Sequence, residues 1–116
     1  MVDAAGKSFS PDMEQCIDDC TRTHQVLLTA SGHALRHGGG ENTAHMIRVM
    51  SDCVEMCQTA SNFMLRGSPN HKRVCGVNAR LCRDVAEEAG KFDDDVMKKV
   101  REVAAACAES CERMAA

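Results

Sequence analysis

Tryptophan and tyrosine are absent from this chain, and phenylalanine occurs only at Phe9, Phe63 and Phe92. A core without large rings must be filled by Val, Leu, Ala, Met and Cys, which suits close helix packing better than a β-sandwich. Val and Ile are too few and too scattered to write sheet strands. No apolar run approaches the ~18–20 residues that a membrane span requires. There is no basic stripe and no aromatic stacking platform, so nucleic acid is not an expected partner. The opening residues, MVDAAGKSFSPDMEQ, hold no apolar segment of the kind a secretory leader carries. The expectation is therefore a cytoplasmic protein whose eight cysteines are thiols, free to act as ligands or catalysts.

What the chain does contain is ordered. At 116 residues it is long enough for one domain, residues 1–116, with a true core. The net charge of −3 mixes both signs, as on a solvated helical surface. His37-Gly38-Gly39-Gly40-Glu41-Asn42 is a turn, because three glycines continue a helix only at a cost. Arg66-Gly67-Ser68-Pro69-Asn70 reads as a helix stop followed by a Ser68 cap and a first-turn proline. Ala89-Gly90 reads as another stop, and Asp93-Asp94-Asp95 as a helix start. Ser10-Pro11-Asp12 opens the first helix in the same way. Four helices are predicted, roughly 11–37, 42–66, 69–89 and 93–115. Short connections make neighbours antiparallel, so the expected fold is all-α, an up-down-up-down four-helix bundle.

Each predicted helix carries two cysteines. Cys16/Cys20, Cys53/Cys57 and Cys107/Cys111 are spaced four apart, and Cys75/Cys82 seven apart. Both spacings return to one helix face, with i,i+4 Cβ atoms roughly 5–6 Å apart. The inward seams run Met13, Cys16, Cys20, Thr23/His24, Leu27, Ala30, Ala34 on the first helix and Met46, Val49/Met50, Cys53, Cys57, Ala60, Met64 on the second. They continue as Val74/Cys75, Asn78, Cys82, Val85, Ala89 and as Val96/Met97, Val100, Ala104, Cys107, Cys111, Met114. Spacings alternate three and four, as bundle cores require. Ile17, Leu28, Leu35 and Ile47 fall outside these seams and either pack between subunits or widen the core stripe.

Antiparallel order lets depths be compared. From the end holding both termini and the 66–70 turn, Cys16, Cys75 and Cys111 form one level. Cys20, Cys57 and Cys107 lie about a turn deeper, and Cys53 and Cys82 a turn beyond, a band of ~12 Å at 1.5 Å per residue. The other half of the interior is ordinary apolar filling. Met13, Met64, Met114 and His71 ring the thiol end. Such a rim suits inward passage of a soft cation, while flexible methionine filler near helix ends is the plain alternative. His24, one turn after Cys20, is either an extra ligand or a satisfied core histidine. His33, His37 and His45 are expected at the surface.

Soft thiolates select Cu(I), zinc or iron–sulfur clusters. Zinc sites favour Cys pairs on turns closing a four-ligand cage, and eight mid-helix thiols exceed one such site. Ferredoxin-type clusters use Cys-x-x-Cys runs followed by proline, which this chain lacks, although one cysteine from each helix could still hold a cluster. Cu(I) accepts two or three ligands, and several ions sharing sulfurs fit a layered band best. The plain reading is that cysteine is a small buried hydrophobe; one or two would need nothing more, but eight at similar depth ask for a purpose. Disulfides fit less well, because successive turns of one helix hold Cβ vectors nearly parallel. No grouping of Ser/His/Asp or paired carboxylates reads as catalytic.

Cys16-Ile17-Asp18-Asp19-Cys20, Cys53-Val54-Glu55-Met56-Cys57 leading to Phe63-Met64-Leu65-Arg66-Gly67-Ser68, and Cys107-Ala108-Glu109-Ser110-Cys111-Glu112-Arg113-Met114-Ala115 carry a wider likeness. Over nearly its whole length the chain resembles the cysteine-rich four-helix-bundle copper-binding proteins, among them the bacterial copper storage proteins. The resemblance implies several Cu(I) ions held by thiolates lining the bundle, homo-oligomers and, where no leader exists, a cytosolic location. Such proteins typically fill more of each seam with cysteine. Here the corresponding positions are Thr23, Leu27, Asn78, Val85, Ala89, Val100 and Ala104. At two thiolates per ion the eight would hold about four Cu(I), more with bridging sulfurs. That pattern points to sequestration, buffering or one polynuclear cluster rather than high-capacity storage.

Overall fold

Ser10 and Pro11 start the first helix as their chemistry requires. The Ser10 hydroxyl accepts from the Met13 amide at 3.2 Å, and proline needs no partner for a first-turn nitrogen. The computed structural model describes Gly6 and residues 8–116, so the segment read for a leader falls partly outside it. Helix α1 spans Pro11–His37, α2 Gly40–Leu65, α3 His71–Ala89 and α4 Asp95–Ala115. The all-α, four-helix expectation holds.

Three helix starts differ from the predicted ones. Helix α2 begins at Gly40 rather than at 42, because extended Gly39 occupies the cap position without any side-chain bond. Gly40 itself has φ +82°, a left-handed backbone that glycine adopts at little cost. Helix α3 begins at His71 rather than 69. Ser68 and Pro69 form a preceding turn, in which the Ser68 hydroxyl accepts from the Asn70 amide at 3.1 Å and Val74 makes the first helical bond to the Asn70 carbonyl. Helix α4 begins at Asp95 rather than 93, since Asp94 is the cap and accepts from the Met97 amide at 2.8 Å.

The helix ends follow backbone logic as well. Helix α2 ends at Leu65, one residue before the predicted 66. Gly67, at φ +67°, closes it: its amide bonds the Met64 carbonyl and the Ser68 amide bonds the Phe63 carbonyl. Gly90 caps α3 in a right-handed conformation, so that stop owes nothing to a left-handed glycine.

Each helix packs on its sequence neighbours, and α1 also packs on α4. Among the described residues the diagonal pairs of backbones stay apart, so only side chains cross the centre. That is the closed square of an up-down-up-down bundle. Its interior contains every cysteine together with Leu27, Ala30, Met46, Met50, Ala60, Met64, Val85, Val100 and Ala104. Ile17, expected outside the seams, is only 3% exposed and widens the core stripe of α1. Ile47 also packs against the core, whereas Leu28 and Leu35 face outward, 55% and 73% exposed. Among the described residues no helix is long and apolar enough to cross a membrane.

Candidate metal centre

All eight cysteines are free thiols with zero exposed surface. Their helices bring them together because the four-residue spacing keeps each pair on the inward face. Antiparallel packing then aligns the pairs in depth. Cys16 and Cys111 sulfurs stand 3.5 Å apart, and Cys20 lies 3.8 Å from both Cys111 and Cys107. Cys53 lies 3.8 Å from Cys57 and 3.5 Å from Cys82. Three triads can each converge on one ion: Cys16–Cys20–Cys111, Cys20–Cys57–Cys107 and Cys53–Cys57–Cys82.

These separations fit a metal. With metal–sulfur bonds of about 2.3 Å, as in zinc thiolates, three sulfurs around one centre stand about 4 Å apart. The observed contacts need little movement to reach that. Cys20 and Cys57 each belong to two triads, so the three join into one continuous band. Cys75 belongs to none, yet it lies beside Cys111 and Cys16 within the first level.

Hydrogen bonding sorts the thiols. Cys20 is pushed far above the usual thiol range by its bonds with Cys107 and Cys111, then Cys16 and Cys57, with burial acting in the same direction. Cys82 is raised by Cys107, Cys53 and Cys57, and Cys75 by Cys111 and Cys16. Those three hold their protons. Cys53 is held down at about 5 by bonds from Cys57 and Cys82, and Cys57 at about 6 by Cys107 and Cys20. Thiols this close together titrate as one coupled unit.

The predicted level of Cys20, Cys57 and Cys107 is one of the observed triads. Met64, placed by its position on the rim, is instead fully buried within the core. Met13 and Met114 are half-buried and pack against the core. The Nδ1 of His71 bonds the Ser68 carbonyl at 2.9 Å. His24 is half-buried, with Nδ1 3.2 Å from the Val54 carbonyl. A carbonyl only accepts, so that bond puts the proton on Nδ1 and leaves the lone pair on Nε2. The His33 and His37 rings meet at 4.7 Å on α1, and His45 pairs with Glu88 at the surface.

One residue of the site escaped the sequence reading. Asn78, counted there as a place without a thiol, is completely buried among the sulfurs. Its signal was present: an amide in register on the inward seam of α3, between Cys75 and Cys82, must find partners inside.

The model of the copper storage protein family matches residues 7–116. The chain belongs to that family. A cysteine-rich protein of Bacillus subtilis strain 168, YhjQ, described as uncharacterized, is 30% identical over 108 residues, covering 90% of this chain and 100% of that relative. Among solved structures, a protein of Nitrosospira multiformis is 36% identical with a TM-score of 0.81, covering 90% of this chain and 94% of its own. The Cu(I)-bound copper storage protein BsCsp3 superposes with a TM-score of 0.86 at 28% identity, over 90% of this chain and 99% of its own. The metal-free Csp3 of Bacillus subtilis gives 0.80 at 30% identity, over 89% and 98%. Family membership and the converging thiols thus agree: a copper storage fold here presents its sulfurs in a band confined to one half of the interior.

Proposed function

We propose that this chain binds and holds several Cu(I) ions as thiolate complexes, with Cys16, Cys20, Cys53, Cys57, Cys75, Cys82, Cys107 and Cys111 as ligands. The observation that carries this reading is the set of three sulfur triads linked through Cys20 and Cys57. Sulfur is soft, and Cu(I) among common cellular cations best accepts two or three such donors. The Cu(I)-bound state of the similar storage protein supports the choice of ion. Binding draws protons from the thiols and ties four helices together, so loading stabilises the fold.

Complete burial of the thiols supports a holding role rather than catalysis, because a substrate larger than an ion has no path to sulfur. Eight free thiols support residence in a reducing compartment such as the cytoplasm. Inward passage would run past Met13, Met114 and His71 toward Met64, a route supported by their position at the thiol end. His24 joins none of the three sulfur groups, and its Nδ1 bond to the Val54 carbonyl supports the reading of a satisfied core histidine. Exposed Leu28 and Leu35 on α1 support self-association into a homo-oligomer.

The deciding experiment is anaerobic Cu(I) titration followed by ultraviolet sulfur-to-copper absorption. A sharp endpoint at several equivalents is expected, and no uptake would remove the assignment. Visible cluster bands in protein purified without oxygen would instead favour iron–sulfur chemistry.

A further inference from the structure

Three of the five histidines are occupied: His24 at the Val54 carbonyl, His71 at the Ser68 carbonyl and His45 beside Glu88. His33 and His37 are not. Among the described residues neither ring has a hydrogen-bond or ion-pair partner. They touch only each other, with centroids 4.7 Å apart and planes tilted by 47°. Their four-residue spacing at the end of α1 puts both on one helix face. That face borders a cleft of about 120 Å³ at the Gly39 end of the bundle. Asp94 lines the same cleft, and Met46, Phe92 and Met97 make its apolar side.

We infer that His33 and His37 chelate a divalent transition-metal ion in this cleft, with Asp94 as third ligand, at a site separate from the thiol band. Two imidazoles one turn apart are a bidentate grip carried by a single helix, as zinc-binding helices use them. Metal–nitrogen bonds of about 2.0–2.1 Å set two tetrahedral donors about 3.3 Å apart. Rings whose centres stand 4.7 Å apart reach that by turning, and no other bond holds them back. The carboxylate has not closed on the pair. Its Oδ1 accepts from the Met97 amide at 2.8 Å, which leaves Oδ2 to meet a cation.

Donor chemistry separates this cleft from the sulfurs. Thiolates draw soft Cu(I), whereas two imidazoles and a carboxylate suit borderline divalent ions such as zinc. The space also fits: at roughly 30 Å³ per water, the cleft takes an ion together with about three waters to complete its shell. Distance keeps the two sites apart. His33 lies thirteen residues beyond Cys20 on α1, about 20 Å along the axis, and Leu27, Met50 and Val100 fill the interior between. An ion held here would tie the end of α1 to the cap of α4, at the end of the bundle that has no thiols. The chain thus carries sites for two ions of different softness, one at each end.

The test titrates zinc into Cu(I)-loaded protein, whose sulfurs are taken, and follows the imidazole 1H–15N resonances of all five histidines. His33 and His37 should move together with one equivalent, while His24, His45 and His71 stay in place. In His37→Gln the response of His33 should be lost. Asp94→Asn keeps a capping side chain but removes the charged donor. It should weaken zinc by no less than the factor of about ten that losing a mere supporting partner costs a metal site. Rings unmoved by excess zinc would overturn the inference. So would a His33 response that survives in His37→Gln, or a zinc affinity unchanged in Asp94→Asn. Should the chain bind no Cu(I), only the copper reading falls, because the same ring resonances still report zinc at this end whatever the free sulfurs take.

Discussion

The two halves of this bundle are built on one plan and filled with different chemistry. Near the Pro11 and Ala115 end the seams carry Cys16, Cys20, Cys57, Cys75, Cys107 and Cys111; toward the Gly39 turn they carry Leu27, Ala30, Met46, Met50, Val85 and Val100. Burial is equally complete in both. Helical spacing is the same, and so is the square packing. Depth in the core therefore says nothing about purpose here. What separates the halves is that one is held by dispersion and exclusion of water, whereas the other presents groups able to trade a proton for a metal. Thr23 marks the boundary, its hydroxyl donating to the Val103 carbonyl of α4 at 3.3 Å.

The sharpest way to break that contrast is to empty the thiol half. Replacing Cys20, Cys57 and Cys107 together with serine removes one triad outright and takes a member from each of the others. Copper uptake in the anaerobic titration is expected to collapse, while circular dichroism still reports four helices. Retention of the wild-type endpoint would show that the band is not the store. The reciprocal change is Leu27→Ala in the apolar half. It should cost about 2–5 kcal/mol of stability by leaving a cavity, read from chemical denaturation, and leave the copper equivalents untouched. A fall in equivalents would mean the halves are not independent.

Acidity should sharpen the contrast more gently, because only one half responds. Hydrogen bonds from neighbouring thiols lower Cys53 to about 5 and Cys57 to about 6, so these two yield their protons to copper more readily. Cys20, Cys75 and Cys82 keep theirs and must surrender them to bind. Protons then compete with copper, so affinity falls as pH falls, by about tenfold per unit for each proton displaced. Competition titrations between about pH 8 and 6.5 should show the later equivalents weakening more than the first. A uniform response would contradict the split between raised and lowered thiols. The smallest effect belongs to Ser10→Ala, which removes the α1 cap at the thiol end and should cost about 1 kcal/mol in the metal-free protein.

Much of this architecture could be read from residue spacing alone. All eight cysteines were expected inside and are, because a three-and-four repeat admits only one inward face. Helix starts were displaced by two residues at α2, α3 and α4, since the caps there depend on the backbone shapes of Gly39 and Asn70, and on which of three aspartates turns inward to the helix. Ile17 looked peripheral because a single seam was drawn for a helix that packs on two neighbours. Asn78 was the instructive miss. A residue type reveals that it needs partners, but the identity of those partners depends on the relative heights of four helices, which no one segment encodes.

The shared membership of Cys20 and Cys57 has a consequence for how cargo is counted. Seven sulfur atoms serve nine coordination places across the three triads. Because Cys20 and Cys57 are each shared by two triads, filling one place alters the sulfur offered at the next. A protein wired in this manner behaves less like a row of separate lockers than like a single ledge, where the first occupant sets the footing for those that follow.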